Sequence, residues 1–387
     1  MGRHRVNLLD RHIFKHVLYT CAGAVGLFAF VVALANFVKD LLGPLLAGQI
    51  GYTMLFKLLA LLFPFAISYA LPMGILTGVL LTLGRLSADS EITAMRAAGI
   101  GLVRVARPVF ILAVLGAATA LYVNYEAMPW ARVQYYRQFA QAMRTNPLSF
   151  LVPKTYIRDF KGVVVYVGDR TPGTALLRDI WIWELDGQSR VKRLVRAESG
   201  RVDYDEATNS LVPTLFRAKV EERDGDNPED FSKSPRAPSV ERAQDVRLSL
   251  AGNLGQNRIR SKPEWMQYEA LQARRAELAR QQPEPGRERE LGLQRMKLAM
   301  IVQEKTSLAL AVLTFAFVAV PLGIKVSRRE TSANLGVSVL IVLGYYVALT
   351  AVKWLDGRPD LRPDLLLWLP NLVLFGFGLW LLRRVER

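Results

Sequence analysis

The chain has one cysteine in 387 residues, Cys21, and three histidines, His4, His12 and His16, all ahead of the first long apolar run. A single thiol excludes an intrachain disulfide and a cysteine-based metal centre. With histidine confined to the N-terminus, no imidazole serves acid–base catalysis or metal ligation further along. No G-x-x-x-x-G-K-[ST] run occurs, so the chain does not hydrolyse a nucleoside triphosphate by the P-loop route. The N-terminus also lacks the pattern of a cleaved secretory signal, because its apolar run is too long and no convincing small-residue cleavage site follows it. Cys21 lies inside that run and reads as a small apolar helix residue.

Acidic residues are scarce relative to basic ones, 34 against 50, for a net charge of +16. A nucleic-acid binder would gather this excess on one soluble face. Here, Met128–Met300 holds 30 Lys/Arg against 23 Asp/Glu, and the other nine excess positive charges sit in short segments beside apolar runs. That placement follows membrane topology and anionic lipid, and nucleic acid is not an expected partner.

The composition is 51% hydrophobic, with the apolar residues in runs near both ends. Six spans are predicted, near Val17–Phe37, Leu55–Gly84, Val103–Tyr125, Ser307–Ile324, Leu335–Val352 and Leu365–Leu382. Each approaches the ~20 residues that cross about 30 Å of hydrocarbon. The connections on one side carry 14 Lys/Arg, among them Arg85, Arg96, Arg104 and Arg107; those on the other carry five, Lys39, Lys57, Lys353, Arg358 and Arg362. The imbalance predicts cytoplasmic termini and a large domain on the far side of an inner membrane, in the periplasm.

That domain reads as antiparallel β. Gly162–Gly168 is GVVVYVG and Asp179–Leu185 is DIWIWEL, with further strands expected at Arg190–Glu198, Gly200–Tyr204 and Ser210–Glu221. Short strands at this spacing suggest a sandwich with Trp181 and Trp183 in its core. Asp224–Pro238, rich in Pro, Ser, Asp and Lys, reads as a mobile loop. Helical stretches follow at Glu264–Arg280 and Arg287–Thr306, the second continuing into the fourth span.

Between the second and third spans lies Leu83–Gly101, LGRLSADSEITAMRAAGIG. Ser87 or Ser90 can cap a helix, with Asp89 and Glu91 at its positive end. Ile92, Met95 and Ala98 then form one apolar stripe, and Gly99 and Gly101 can end it. The product is a short amphipathic helix along the membrane face.

The run SADSEITAMRAAG, together with VPLGI at Val320–Ile324, resembles the LptF/LptG-type permeases of the lipopolysaccharide-export ABC transporter. The resemblance covers essentially the whole chain. It implies a membrane α-helical fold with six transmembrane helices (3+3) and an inserted antiparallel β, jellyroll-like periplasmic domain. It implies that the short helix couples the chain to a separate LptB-type ATPase dimer, with Glu91 as the coupling carboxylate and Ser90, Ile92 and Met95 beside it. It further implies a second LptF/LptG-type permease, LptC- and LptA-type bridge proteins, and lipopolysaccharide as cargo. No cofactor or metal is implied.

Lipopolysaccharide phosphates would need cations at the outer rim of an apolar cavity. Lys39 follows the first span, and Arg132 and Arg137 follow the third within MPWARVQYYRQ; these are the candidate lipid contacts. Where one family branch has Lys before the FV of this stretch, this chain has Asn36, and its Lys39 comes after. Asn36, Asn124 and Glu126 near the outer span ends are expected to be hydrated; Glu304 and Lys305 open the fourth span, and pairing with another chain is the lesser of their readings. Tyr135 and Tyr136 read as an interfacial belt. Gly23, Gly26, Gly74 and Gly78 allow close helix packing.

The expected domains are 1–126, the first three spans with a coupling helix at 86–99; 127–262, the β domain; 263–300, a helical connector; and 301–387, the last three spans. Two other readings stay open. An intramembrane enzyme acting on lipid or peptide has neither a membrane histidine nor paired mid-span carboxylates, although a Ser–Lys pair remains. A scaffold or receptor with a periplasmic sensing domain would signal through cytoplasmic features that here are only short loops and the Glu91 helix.

Overall fold

The computed structural model describes residues 8–46, 50–145, 153–160, 162–170, 176–205, 210–222, 239–243, 248–249, 262–282, 288–325 and 331–386. The predicted loop at Asp224–Pro238 lies outside the described residues. Hydrocarbon offers no water to backbone N–H and C=O groups, so long apolar runs must satisfy themselves as helices. Among the described residues, six helices are long and apolar enough to cross a membrane: Leu9–Leu46, Tyr52–Ala88, Leu102–Phe139, Glu288–Ile324, Gly336–Lys353 and Pro363–Arg384. The first four have 37 or 38 residues. At 1.5 Å per residue each is about 55 Å long, well beyond the apolar runs, so helical structure continues into the polar flanks.

In chain order the helices are α1 (Leu8–Asn36), which passes through a π-helical turn (Phe37–Leu41) into α2 (Leu42–Leu46), α3 (Tyr52–Ala88) and α4 (Glu91–Ala97). Next come α5 (Leu102–Tyr122), a second π-helical turn (Val123–Ala127) and α6 (Met128–Thr145). After the strands follow α7 (Tyr268–Arg280), α8 (Glu288–Lys325), α9 (Thr331–Lys353), α10 (Pro363–Leu366) and α11 (Leu369–Glu386). The polar stretch before the fourth span and the span itself form the single helix α8, as their sequence predicts.

The chain divides into two compact units. One comprises Met1–Phe37, Leu59–Arg132 and Pro263–Arg387, the other Val38–Leu58 and Val133–Lys262. In the first unit, α8 is the central helix: 72% of its apolar window is buried, against 17% for the first span. Val312, Phe315, Ala316 and Ala319 of α8 pack with Leu76, Leu80 and Leu83 of α3 and Val109 and Ala113 of α5. Of the four glycines expected at close contacts, only two serve there. A Cβ at Gly78 would lie 2.5 Å from Cys21 Cα, and one at Gly74 would strike Val25, so α3 and α1 touch backbone to backbone. Gly23 and Gly26 face open space.

The second unit holds a seven-stranded antiparallel sheet in the order β1 to β6, with β7 also pairing β5. Its strands are β1 (Tyr156–Phe160), β2 (Val163–Arg170), β3 (Leu176–Leu185), β4 (Val191–Asp205), β5 (Ser210–Glu222), β6 (Ser239–Ala243) and β7 (Leu248–Ser249). The two strands expected at 190–204 are one continuous strand, β4. Ile157, Val165, Val167, Ile180, Ile182, Val195, Ala197, Ala218 and Val220 form the core on one face, and Phe139 of α6 packs against it.

Side chains of a strand normally alternate with period two. In this sheet the phase slips at the same level in successive strands. Leu177 and Ile180, Ala197 and Gly200, and Leu215 and Ala218 are buried three apart instead of two. The slipped positions Gly168, Asp179, Glu198 and Arg217 stand in one row across β2 to β5, and each pair along the row is missing from the ladder. Asp179 and Arg217 adopt left-handed φ of 50° and 51° there. A Cβ at Gly168 would sit 2.8 Å from Asp179 Cβ, so this place in the row requires glycine. The row is a fold line that redirects four strands together, in the manner of aligned bulges.

The face opposite the core carries the aromatics, which corrects the expectation that Trp181 and Trp183 are core residues. Their rings stack at 5.8 Å, Tyr156 lies 5.7 Å from Trp183, and the Arg196 guanidinium covers Trp181 at 4.2 Å. Alternation forces this placement, because Ile180 and Ile182 take the core side. Tyr135, expected at an interfacial belt, is buried.

The hairpin joining β3 to β4 is closed by Asp186. Its Oδ1 accepts the backbone N–H groups of Gln188 and Arg190, both at 2.8 Å, and its Oδ2 accepts Arg190 Nε–H at 2.8 Å. These donors, the Arg190 amide foremost, hold the carboxyl below its usual pKa. A lowered native pKa stabilises the fold above the unfolded-state value and loses that contribution as pH falls through the native value. The hairpin should therefore loosen below about pH 4. Hydrogen exchange at the Gln188 and Arg190 amides, referenced to unfolded peptide at each pH, should lose protection in that range. Asp186→Ala should show the low-pH exchange already at pH 7; unchanged protection in the variant would refute the assignment.

Candidate functional site

The segment LGRLSADSEITAMRAAGIG is split between two helices. α3 runs on to Ala88 and α4 occupies Glu91–Ala97, narrower than the predicted 86–99. Ser90 is at the N-cap of α4, but its φ is +60° and its side chain makes no cap hydrogen bond. Ser87 instead donates its hydroxyl to the Ile324 carbonyl at 3.0 Å. The expected serine cap is thus replaced by a tight left-handed turn. Gly99 behaves as predicted. With φ +80° it closes a Schellman motif, in which Ile100 N–H binds Met95 O at 2.9 Å and Gly99 N–H binds Arg96 O at 3.0 Å.

A seven-residue helix has too few turns to offset its own nucleation cost, so packing must hold it. Ile92 and Met95 are buried at 2% and 8% exposure in the same cluster as Leu83, Leu86 and Val320. Ala98, expected on the same stripe, is exposed because the helix has already ended. Glu91, Ala94 and Arg96 face outward. The helix thus presents one carboxylate on a backbone anchored by two apolar side chains.

The three candidate lipid-contacting cations do not share one environment. Lys39 is exposed in the first π turn, and Arg137 is exposed on α6. Arg132 is half-buried, with its guanidinium 4.1 Å from the Phe65 ring centre. That contact is of the cation–π kind.

At the opposite end of the spans from α4, the first unit carries a polar network that hydropathy does not reveal. Asn124, expected to be hydrated, is only 2% exposed. Its Oδ1 accepts the Ser68 hydroxyl, and its Nδ2–H donates to Lys305 O at 3.0 Å. Tyr125 donates its hydroxyl to Val302 O at 3.0 Å, and Glu126 accepts Gln267 Nε2–H at 2.8 Å. Three successive residues of the second π turn therefore each reach different partners. π turns inside long helices tend to occur at functional positions. Lys305 is buried and donates to Met266 O at 3.1 Å, while Glu304 pairs with Lys353 at 2.5 Å. Both find partners within the chain. The only sequence signal for this network was the polarity of Asn124, Glu304 and Lys305 beside apolar runs.

The fold and these two sites define a multi-span helical membrane protein with an inserted antiparallel β unit and a short amphipathic helix between its second and third spans. The chain belongs to the lipopolysaccharide export system permease LptF/LptG family, whose model matches residues 11–384. Among its relatives are the lipopolysaccharide export system permease protein LptF of Escherichia coli K12 and of Shigella flexneri. Each is 21% identical over 360 residues, covering 90% of this chain and 88% of the relative.

Removing the Asn124 amide leaves the Lys305 carbonyl and the Ser68 hydroxyl short of a buried partner, at a cost of about 1–3 kcal/mol. Asn124→Ala should therefore lower the thermal midpoint of the detergent-solubilised protein by several degrees. Asn36→Ala, which removes only an i to i−4 bond to Val32 O, should leave it nearly unchanged. Equal effects of the two substitutions would refute the network's importance.

Proposed function

We propose that the chain is a permease subunit of an ABC transporter that extracts lipopolysaccharide from the inner membrane and passes it to a periplasmic bridge. A separate LptB-type ATPase dimer supplies the energy, and a second LptF/LptG-type permease completes the membrane unit. In this reading both termini and α4 are cytoplasmic, the β unit is periplasmic, and the chain performs no covalent chemistry itself. LptC- and LptA-type proteins receive the lipid from the β unit.

The observation that carries the reading is the exposed Glu91 on an otherwise anchored helix. A carboxylate held in this way can form a charge pair in a groove of the ATPase without the entropy loss of ordering a loose segment. Ile92 and Met95 keep the helix on the membrane unit, and Ser90 sets its entry turn. When the ATPase moves the helix, the spans shift around the lipid and drive it toward the β unit. Lys39, Arg132 and Arg137 are the cations proposed to meet its phosphates. The family supports the cargo class, and the Lys/Arg imbalance between connections supports the orientation.

Co-purification of the tagged chain with its cognate ATPase and second permease tests the reading. Wild type should retain the ATPase, and Glu91→Lys should weaken the association by roughly thirtyfold or more, corresponding to the ~2–5 kcal/mol lost when one side of a buried charge pair is removed. Wild type that never associates with an ATPase would overturn the transporter reading. Association and lipid-stimulated turnover that survive the reversal would overturn only the role of Glu91.

A further inference from the structure

The two motifs that carry the family resemblance lie about 230 residues apart in sequence, yet their backbones meet. Gly323, in VPLGI at the end of α8, faces the end of α3. A Cβ at Gly323 would lie 2.8 Å from Leu83 Cβ, 3.5 Å from Leu80 O and 3.6 Å from Gly84 N. The first of these atoms is fixed to the backbone and cannot swing aside, so only glycine permits the approach. One residue on, the Ile324 carbonyl is among the last four of its helix, which have no intrahelical donor. Ser87 supplies that donor at 3.0 Å. Ser87 precedes Glu91 by a single helical turn, and the Ile92 and Met95 side chains rest in a cluster that includes Leu83 and Leu86 from α3 and Ala319 and Val320 from α8. The seat of α4 is therefore built from both halves of the membrane unit.

We infer that Gly323 and Ser87 are positioning residues that clamp the fourth span to the seat of α4, so that displacement of the Glu91 helix is passed directly into the second half of the chain. The inference rests on the reading of α4 as the ATPase-coupling helix. Neither residue touches lipid or ATPase in this scheme. Gly323 fixes the distance between the two helix ends, and Ser87 fixes their angle by capping a carbonyl.

The test uses the full chain in lipid nanodiscs, with Cys21→Ala and nitroxides on cysteines replacing Ala94 and Arg383, both exposed. Pulsed electron resonance reads the distance between α4 and the end of α11. The Gly323 background should give one narrow distance peak, and Gly323→Ala should lose it. Ser87→Ala should widen the peak and Ser87→Thr, which keeps the donor, should not. In the unlabelled complex with ATPase and second permease, Gly323→Ala and Ser87→Ala should lower lipopolysaccharide moved per ATP hydrolysed several-fold while ATPase association persists, and Ser87→Thr should leave it unchanged. A narrow peak and full coupling in Gly323→Ala would overturn the inference. So would a Ser87→Thr protein that loses the peak as Ser87→Ala does, because the capping hydroxyl would then not be what holds the two helix ends. If the distances behave as stated but wild type binds no ATPase, the clamp stands and the transporter reading falls.

Discussion

A polar group buried among apolar helices must find its partner inside the protein. Asn124 meets that demand in a way that organises its surroundings. Its side chain enters the contact between α3 and α8 and takes a hydroxyl from one and a carbonyl from the other. The helix carrying it accommodates the insertion by widening for one turn, which places Tyr125 and Glu126 against further partners. Lys305 is drawn into the same region through its carbonyl, while its ammonium is satisfied by Met266 O. Without the Asn124 bonds, the third and fourth spans would keep the neighbouring tie from Tyr125 to the Val302 carbonyl but lose the link that joins both of them to α3 through Ser68.

The parts of the molecule legible in the sequence are those governed by periodicity and sterics. The six helices follow from run length, and Gly99 follows from the need for a left-handed residue after a helix. The strand runs Gly162–Gly168 and Asp179–Leu185 follow from β-branched and aromatic residues between turn residues, and the strands β2 and β3 that form there extend a few residues beyond them. What the sequence conceals is pairing. Nothing in the order of residues says that Asn124 meets Ser68, or that Lys353 lies beside Glu304, because each partner sits far away in the chain. Trp181 and Trp183 illustrate a second limit. Alternation identifies two faces of a strand but not which face is inside, and here both faces carry large apolar side chains.

The candidate site divides along the same line. Glu91, Ile92 and Met95 fall on one short helix with the outward and inward faces their spacing predicts. The serine cap does not form, because α3 continues past Ser87 and leaves too little chain for a conventional helix start. Position relative to the spans picks out the outer cations in the sequence but does not reveal the Phe65 ring beneath Arg132. Sequence spacing locates an amphipathic helix well, since its chemistry is local. It does not show which side chains of separate helices come together.

The fold line across β2 to β5 has a consequence for how this chain can diverge. Four strands change phase at one level, so the positions that meet there must stay opposite one another. Inserting or deleting a residue beside the bend would displace Gly168, Asp179, Glu198 or Arg217 from the row and turn later side chains inside out unless a bulge took up the difference. β4 does this near its hairpin, where it spends two residues from Arg193 to Val191 against one from Glu184 to Leu185. Related sequences of very different composition should therefore keep the row itself, while hairpin ends and loops drift in size.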